Sequence, residues 1–164
     1  MSKTEQNLWG AFAGESQANR KYLAFAAQAD REGYSQAAKL FRAAAEAETI
    51  HAHAHLRALG AVEGTLDNLK TAEAGETDEF KNMYPAMITA AEEEGNKGAL
   101  QSFSYANEVE KTHAALYQKA VDNLDSMEEC DYYVCKVCGH THEKNAPEKC
   151  PVCGSSKQAF FKAD

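Results

Sequence analysis

The sequence of 164 residues has no cysteine before position 130, only three prolines, and no apolar run near the ~20 residues that span a membrane. Its first residues lack a basic stretch followed by an apolar one, so we expect no secretory signal and a cytoplasmic protein. Basic residues are also scarce, because 17 lysines and arginines stand against 25 acidic residues, for a net charge of −8. We therefore expect neither a nucleic-acid nor a membrane partner, since both need a basic surface.

The charge and the cysteines divide the chain into two parts. Residues 1–130 carry 21 acidic and 12 basic side chains and are rich in Ala, Glu and Leu, which favour helices. Residues 131–164 hold two of the three prolines and four of the five cysteines. We predict a mainly α protein, with a ferritin-like four-helix bundle over residues 1–127 and a small β/loop metal domain over residues 131–164. The polar segment DSMEECD would link them.

Single glycines separate four long stretches of helical periodicity in the first part. Thr65 and Asn96 are suited to cap the helices that follow them. Pro85 falls inside the third stretch, where we expect a kink. The predicted helices cover residues 3–32, 35–59, 66–94 and 97–125.

Acidic and imidazole side chains interrupt the apolar stripe of each predicted helix. A buried carboxylate costs several kcal/mol unless it is paired. Such side chains on all four stripes, near the middle of each helix, therefore indicate a bound cation of high charge. In chain order these residues are Glu15, Glu48, His51, His55, Glu76, Glu79, Glu110 and His113.

The spacing of these residues repeats. The interval from Glu76 to Glu110 is only one position longer than the interval from Glu15 to Glu48. The second glutamate of each pair opens a Glu-x-x-His motif. Two such hairpins, packed about a pseudo-twofold axis, would supply the ligand set of a di-iron carboxylate bundle, and oxygen and nitrogen donors suit iron or manganese. His55 has alanine three residues before it, so we expect a core or supporting residue there and not a ligand.

The tail contains two Cys-x-x-Cys-Gly motifs. Each motif forms a tight metal-binding turn, called a knuckle here, and its glycine allows that turn. Two knuckles place four thiolates in a tetrahedron. A tetrathiolate suits zinc or iron. A di-iron site that turns over needs electrons one at a time, which an iron tetrathiolate delivers, whereas zinc would only hold the fold. The cysteines are Cys135, Cys138, Cys150 and Cys153.

Three further residues, one in the linker and two in the tail, have no place in these motifs. Cys130 lacks a partner, and we expect an incidental thiol there. His140 and His142 lie beside the first knuckle, where they could carry electrons outward. We expect a plain surface role for both.

The sequence resembles the rubrerythrin family, in which a ferritin-like di-iron bundle precedes a rubredoxin-like domain, over essentially its whole length. The gap of eleven residues between the cysteine pairs is similar to the rubredoxin-like domain of this family and shorter than in free-standing rubredoxins. Besides the two knuckles, the segments that carry the resemblance are GESQANRKY, AETIHA, AGETDEFKNMYP and VEKTHAALY.

The resemblance implies a set of iron ligands in the bundle. Glu48 and Glu110 would bridge the two irons. Glu15 and Glu76 would each cap one iron, and His113 would be a constant ligand. The four tail cysteines would hold one further iron, for which zinc could substitute.

Four residues would act in catalysis according to the same resemblance. Glu79 and His51 would exchange at one iron as its oxidation state changes. Tyr22 and Tyr84 would donate hydrogen bonds to the ligand carboxylates.

The activity that the resemblance implies is reduction of hydrogen peroxide to water, in defence against oxidative stress. An external NAD(P)H-dependent reductase, directly or through a rubredoxin, would supply electrons by way of the tetrathiolate iron. In this family the rubredoxin-like domain of one subunit approaches the di-iron site of another, so we expect a homodimer or a larger assembly.

Two other functions are compatible with the motifs. A ferroxidase or iron-storage bundle would use dioxygen and ferrous iron, and it would need no attached electron carrier. A non-enzymatic adaptor would hold zinc in its tail.

Overall fold

The computed structural model of the protein describes residues 1–163. It divides the chain into two units, Met1–Glu63 and a second that begins at Gly64. Within the described residues, every helix is too short or too polar to cross a membrane.

The first unit is an antiparallel hairpin of two long helices, α1 (Lys3–Arg31) and α2 (Ser35–Leu59). The Ser2 side chain caps α1 by accepting a hydrogen bond from the backbone N–H of Glu5. Arg42 of α2 forms an exposed ion pair with Asp30 near the end of α1, at 2.7 Å. Both helices agree with the predicted ranges to within one residue.

The second unit begins with helices that replace the third and fourth predicted ones. The third is divided into α3 (Thr65–Asp78), a π-helical turn (Glu79–Met83) and α4 (Tyr84–Glu93). Then follow α5 (Lys97–Asn123) and a short 3₁₀ turn (Leu124–Ser126). Asn96 caps α5 as predicted, by accepting from the N–H of Ala99 at 3.1 Å. Thr65 was predicted as a cap but is the first helical residue, and Gly64 is the cap.

The π-helical turn takes the place of the kink expected at Pro85. Proline has no N–H to donate within a helix, and a π turn holds one residue more than an α turn. That extra residue lies between Glu76 and Glu110, and it explains why their spacing exceeds that of Glu15 and Glu48 by one. The turn begins at Glu79, so it positions a predicted ligand.

The tail folds as a three-stranded antiparallel sheet of order β2-β1-β3, with strands β1 (Tyr132–Cys135), β2 (Thr141–Glu143) and β3 (Phe160–Lys162). Its core is small and consists of buried Cys135, Ala146, Cys150 and Phe160. Two of these four residues are predicted metal ligands, so a metal would complete this core.

Candidate metal centres

Four cysteine sulfurs converge in the tail. All four lie within 4.8 Å of one another. Cys135 Sγ is 3.7 Å from Cys153 Sγ, and Cys138 Sγ is 3.5 Å from Cys150 Sγ. Each close pair therefore joins the two knuckles, which is the arrangement predicted for a tetrathiolate.

The two knuckles have the same backbone geometry. Gly139 N–H donates to the Cys135 carbonyl at 2.8 Å, and Gly154 N–H donates to the Cys150 carbonyl at 2.9 Å. Both glycines are in the left-handed region, with φ of 84° and 73°, where a side chain would be strained. The matched turns bring each first cysteine against the second cysteine of the other knuckle.

The pKa values of the tail cysteines show how burial and hydrogen bonds act on the potential sulfur ligands. Burial raises the pKa of the Cys138 and Cys150 thiols, because a lone thiolate is poorly solvated there. Burial also acts against ionisation of Cys153, but hydrogen bonds with Ser155, Cys150 and Cys138 together outweigh it and lower the pKa of Cys153 to about 6. Four such sulfurs at this distance fit one iron or zinc ion.

A second group of potential ligands lies on the hairpin of the first unit. One donor atom each of Glu15, Glu48 and His51 lies within 4.8 Å of the others. His51 Nδ1 is 2.8 Å from Glu48 Oε2, as the Glu-x-x-His spacing predicts. The His51 side chain is 56% exposed, whereas that of Glu48 is 18% exposed.

Asn19 braces this group, a role that the sequence analysis did not assign. It is buried one turn after Glu15, and its Nδ2 donates to the Ala45 carbonyl at 2.7 Å and to Thr49 Oγ1 at 2.9 Å. The bonds tie α1 to α2 beside Glu48. The sequence did carry a signal for this role, because Asn19 is a polar residue on the apolar stripe of α1.

A third group lies in the second unit and repeats the geometry of the hairpin group. Glu76, Glu110 and His113 each place one donor within 4.8 Å of the others. His113 Nδ1 is 2.7 Å from Glu110 Oε2 and 3.9 Å from Glu76 Oε1. Glu79, at the start of the π-helical turn, lines the same cavity as Glu76 and Glu110.

The carboxylates of this third group repel one another. Burial, the charge of Glu110 and a hydrogen bond with it raise the pKa of Glu76 to about 7, with Glu79 adding to the shift. Burial and the charge of Glu110 also raise the pKa of Glu79. A divalent cation would relieve this repulsion, so the carboxylate and imidazole donors fit iron.

The two predicted tyrosines occupy matching places in the two units. The Tyr22 ring lies 6.3 Å from that of Phe41, and the Tyr84 ring lies 6.4 Å from that of Phe103. Burial raises the pKa of Tyr84, and the charges of Glu79, Glu110 and Glu76 add to this rise. Hydrogen bonding from either tyrosine to a ligand stays a prediction.

A hydrogen-bonded link connects the tail to the third group. Thr141 of β2 lies between them, with its Oγ1 at 3.0 Å from His113 Nε2 and 3.4 Å from the Gly139 carbonyl, to which it donates. Gly139 follows Cys138 directly in the chain. With Nδ1 facing a metal, Nε2–H would donate to Thr141, as metal-bound histidines usually do. The sequence held no signal for this contact, which joins residues far apart in the chain.

The structure corrects the expectation for His140, which is not a surface residue. Its side chain is buried, with 6% exposure, and burial lowers the pKa of its imidazole. His142 is half-buried and hydrogen-bonds through Nδ1 to the Glu143 carbonyl at 2.9 Å. Cys130 and His55 are half-buried and belong to none of the three donor groups found among residues 1–163.

Comparison with known proteins gives matches along both parts of the chain. The family model described as Rubrerythrin matches residues 6–121, and the one described as Rubrerythrin, rubredoxin-like domain matches residues 133–161. Nigerythrin of Nitratidesulfovibrio vulgaris is 36% identical, over 98% of this chain and 86% of that protein. Rubrerythrin of Porphyromonas gingivalis is 37% identical, over 98% and 89% respectively.

A solved structure of nigerythrin, in the fully reduced, all-ferrous state, is also similar. It has a TM-score of 0.61 and 34% sequence identity, and the match covers 99% of this chain and 88% of that one.

Proposed function

Because this chain belongs to the rubrerythrin family of oxidative-stress defence proteins, which combine a di-iron site with a rubredoxin-like domain, we propose that it reduces hydrogen peroxide to water. Each peroxide takes two electrons and two protons and gives two waters. An external NAD(P)H-dependent reductase, directly or through a rubredoxin, would supply the electrons.

The observation that carries this proposal is the bonded path from the tail to His113 through Thr141. A storage bundle or a zinc adaptor has no use for such a connection. When bound, the iron pair supplies both electrons for cleavage of the O–O bond, and the tetrathiolate iron supplies electrons singly. The path supports this division, because it runs from a proposed iron ligand, His113, through Thr141 to the residue that follows Cys138.

We assign the ligand roles that the family resemblance implies to the residues of the three donor groups. Glu48 and Glu110 would bridge the two irons, Glu15 and Glu76 would each cap one iron, and His113 would stay bound. Their support is the common geometry of the two Glu–His pairs, at 2.8 and 2.7 Å.

Glu79 and His51 are proposed to exchange as ligands, and both have room to do so. His51 is more than half exposed, so its ring can turn without displacing packed neighbours. Glu79 stands at the start of the π-helical turn, a distortion often found at functional sites. Tyr84 is proposed to donate a hydrogen bond to one of the ligand carboxylates, and the effect of the charges of Glu79, Glu110 and Glu76 on its pKa supports this role.

The rates at which hydrogen peroxide and dioxygen oxidise the reduced protein distinguish this function from that of a ferroxidase. We expect hydrogen peroxide, at equal concentration, to oxidise the fully reduced protein faster than dioxygen does, since the path from the tail serves repeated reduction. The measurement is stopped-flow absorbance at the visible band of the tetrathiolate iron. Faster oxidation by dioxygen, with iron accumulating beyond the ligand sites, would favour iron handling instead.

Removal of the Thr141 hydroxyl should slow electron delivery to the helical site. We expect Thr141→Val to lower the internal rate ~10-fold, the lower end of the effect of losing a hydrogen-bonded partner of a ligand. The reduction potential and the visible spectrum of the tail iron should not change, and Thr141→Ser should restore the rate.

Thr71→Val, at an exposed position of α3, is the matched control and should leave the rate unchanged. If the valine variant at position 141 transfers electrons at the wild-type rate, the path does not run through this hydroxyl.

A further inference from the structure

A second cavity in the second unit shares two residues with the third donor group. Its volume is about 380 Å³, within the range of roughly 300–1,000 Å³ that small-molecule sites occupy. Glu76 and His113 line it, and the same two residues line the cavity that Glu79 and Glu110 also line. We call the second one the apolar cavity, because most of its walls are aliphatic or aromatic. Its other lining residues are Leu69, Leu116, Tyr117, Ala120, Tyr132 and Thr141.

The apolar cavity has a polar end and an apolar end. Leu69 precedes Glu76 by seven residues on α3, and Ala120 follows His113 by seven residues on α5. Seven residues make about two helical turns, so the members of each pair lie on one face of their helix, about 10 Å apart along its axis. Thr141 Oγ1, at 3.0 Å from His113 Nε2, belongs to the polar end.

Such a cavity favours a ligand with one polar end and an apolar body. Apolar walls hold water poorly, because a water molecule finds too few hydrogen-bond partners there. Hydrogen peroxide is polar at both of its oxygens and gains nothing from aliphatic walls. An apolar body gains affinity, by about fourfold for each methylene group that leaves water. The apolar cavity therefore offers binding energy that reduction of hydrogen peroxide does not use.

An organic hydroperoxide combines the chemistry of the donor group with that of the apolar cavity. It carries the O–O bond of hydrogen peroxide, with one hydrogen replaced by an alkyl or aryl group. Its reduction breaks that O–O bond, takes up two electrons and two protons, and gives one alcohol and one water. The electron supply is the one already proposed for hydrogen peroxide, so no further reductant is needed.

We propose that the apolar cavity binds the organic group of alkyl and aryl hydroperoxides, and that the protein reduces them to alcohols. The hydroperoxide group would lie at the polar end, beside Glu76 and His113, and the organic group would extend toward Leu69 and Ala120. The inference rests on the proposed function, since the same electron supply serves both substrates. It adds a substrate class, hydroperoxides with an apolar body, and the residues that select it.

The size of the organic group gives the first test, on the wild-type protein. The reduced holoprotein is mixed with hydrogen peroxide, tert-butyl hydroperoxide or cumene hydroperoxide, and the visible band of the tail iron reports oxidation. We expect the second-order rate constant to be at least ~10-fold higher for cumene hydroperoxide than for tert-butyl hydroperoxide, because the aromatic ring buries more apolar surface. An equal or lower rate constant for cumene hydroperoxide would overturn the inference.

Binding of the alcohol product, 2-phenyl-2-propanol, tests the apolar cavity without turnover. The alcohol is titrated into the oxidised holoprotein by isothermal calorimetry at several temperatures. We expect one molecule to bind per chain with a negative heat-capacity change, which marks burial of apolar surface. Ala120→Leu adds three carbons at the apolar end of the cavity and should weaken this binding ~10-fold or more.

Ala115→Leu is the matched control for this variant. Ala115 is exposed on α5 and lines neither of the two cavities, so the same side chain there should leave the affinity for the alcohol unchanged. The visible spectrum of the tail iron checks that both variants are folded. Equal affinities of Ala120→Leu and the control, or the absence of binding to the wild-type protein, would contradict the assignment of the cavity.

Different results would overturn this inference and the proposed function. If hydrogen peroxide oxidises the reduced protein rapidly but neither organic hydroperoxide does, the proposed function stands and the inferred substrate class is wrong. If hydrogen peroxide fails to oxidise the protein while the alcohol binds as expected, the proposed function is wrong and the cavity keeps its ligand class.

Discussion

Replacement of Glu110 by alanine should lower peroxide-dependent oxidation of the reduced protein by at least ~100-fold. Loss of a residue that merely supports a ligand costs about 10–100-fold, and Glu110 is the proposed bridge between the irons. It also holds His113 Nδ1 at 2.7 Å, so its removal releases a second ligand. Stopped-flow absorbance at the visible band of the tail iron, with peroxide in excess, gives the rate.

Glu108→Ala provides the matched control for this variant. Glu108 lies on α5 two residues before Glu110 and is exposed, where it pairs with Lys111. An exposed pair of this kind contributes little to stability, so the control should oxidise at the wild-type rate. If Glu110→Ala oxidises as fast as the control, the helical site does not carry the reaction.

Local spacing explains why much of this protein could be predicted from its sequence. The tetrathiolate depends on two turns of four residues, each closed by glycine, and its geometry agrees with the pattern. The Glu–His pairs on α2 and α5 likewise follow from neighbouring positions on a helix. The mainly helical fold with a small sheet at its end was predicted on the same basis.

Features that depend on distant parts of the chain could not be predicted in this way. The one-residue difference in ligand spacing was visible in the sequence, but its cause, the π-helical turn at Glu79, was not. The bond between His113 and Thr141 joins a helix to a strand with no shared pattern. The burial of His140 likewise depends on where the tail packs, so a polar residue next to a knuckle was wrongly expected at the surface.

Loss of the tetrathiolate should separate electron delivery from the reductase, which needs the tail, from oxidation by peroxide, which does not. We expect Cys150→Ser to abolish continuous turnover with NADH and a reductase, because electrons no longer reach the helical site. A single oxidation by peroxide of the chemically reduced protein should persist, since the carboxylate groups lie outside the tail. Cys150 is buried in the small core of the tail, so the substitution also removes the metal that completes this core.

Cys130→Ser tests whether the effect belongs to the sulfur cluster and not to thiols in general. Cys130 is half-buried and lies outside the four-sulfur group, so this variant should keep its tail iron, its visible spectrum and its turnover. Single-turnover oxidation and steady-state NADH consumption, measured on both variants, decide the matter. If Cys150→Ser still turns over with the reductase, electrons enter the helical site without the tail, and the role proposed for Thr141 fails with it.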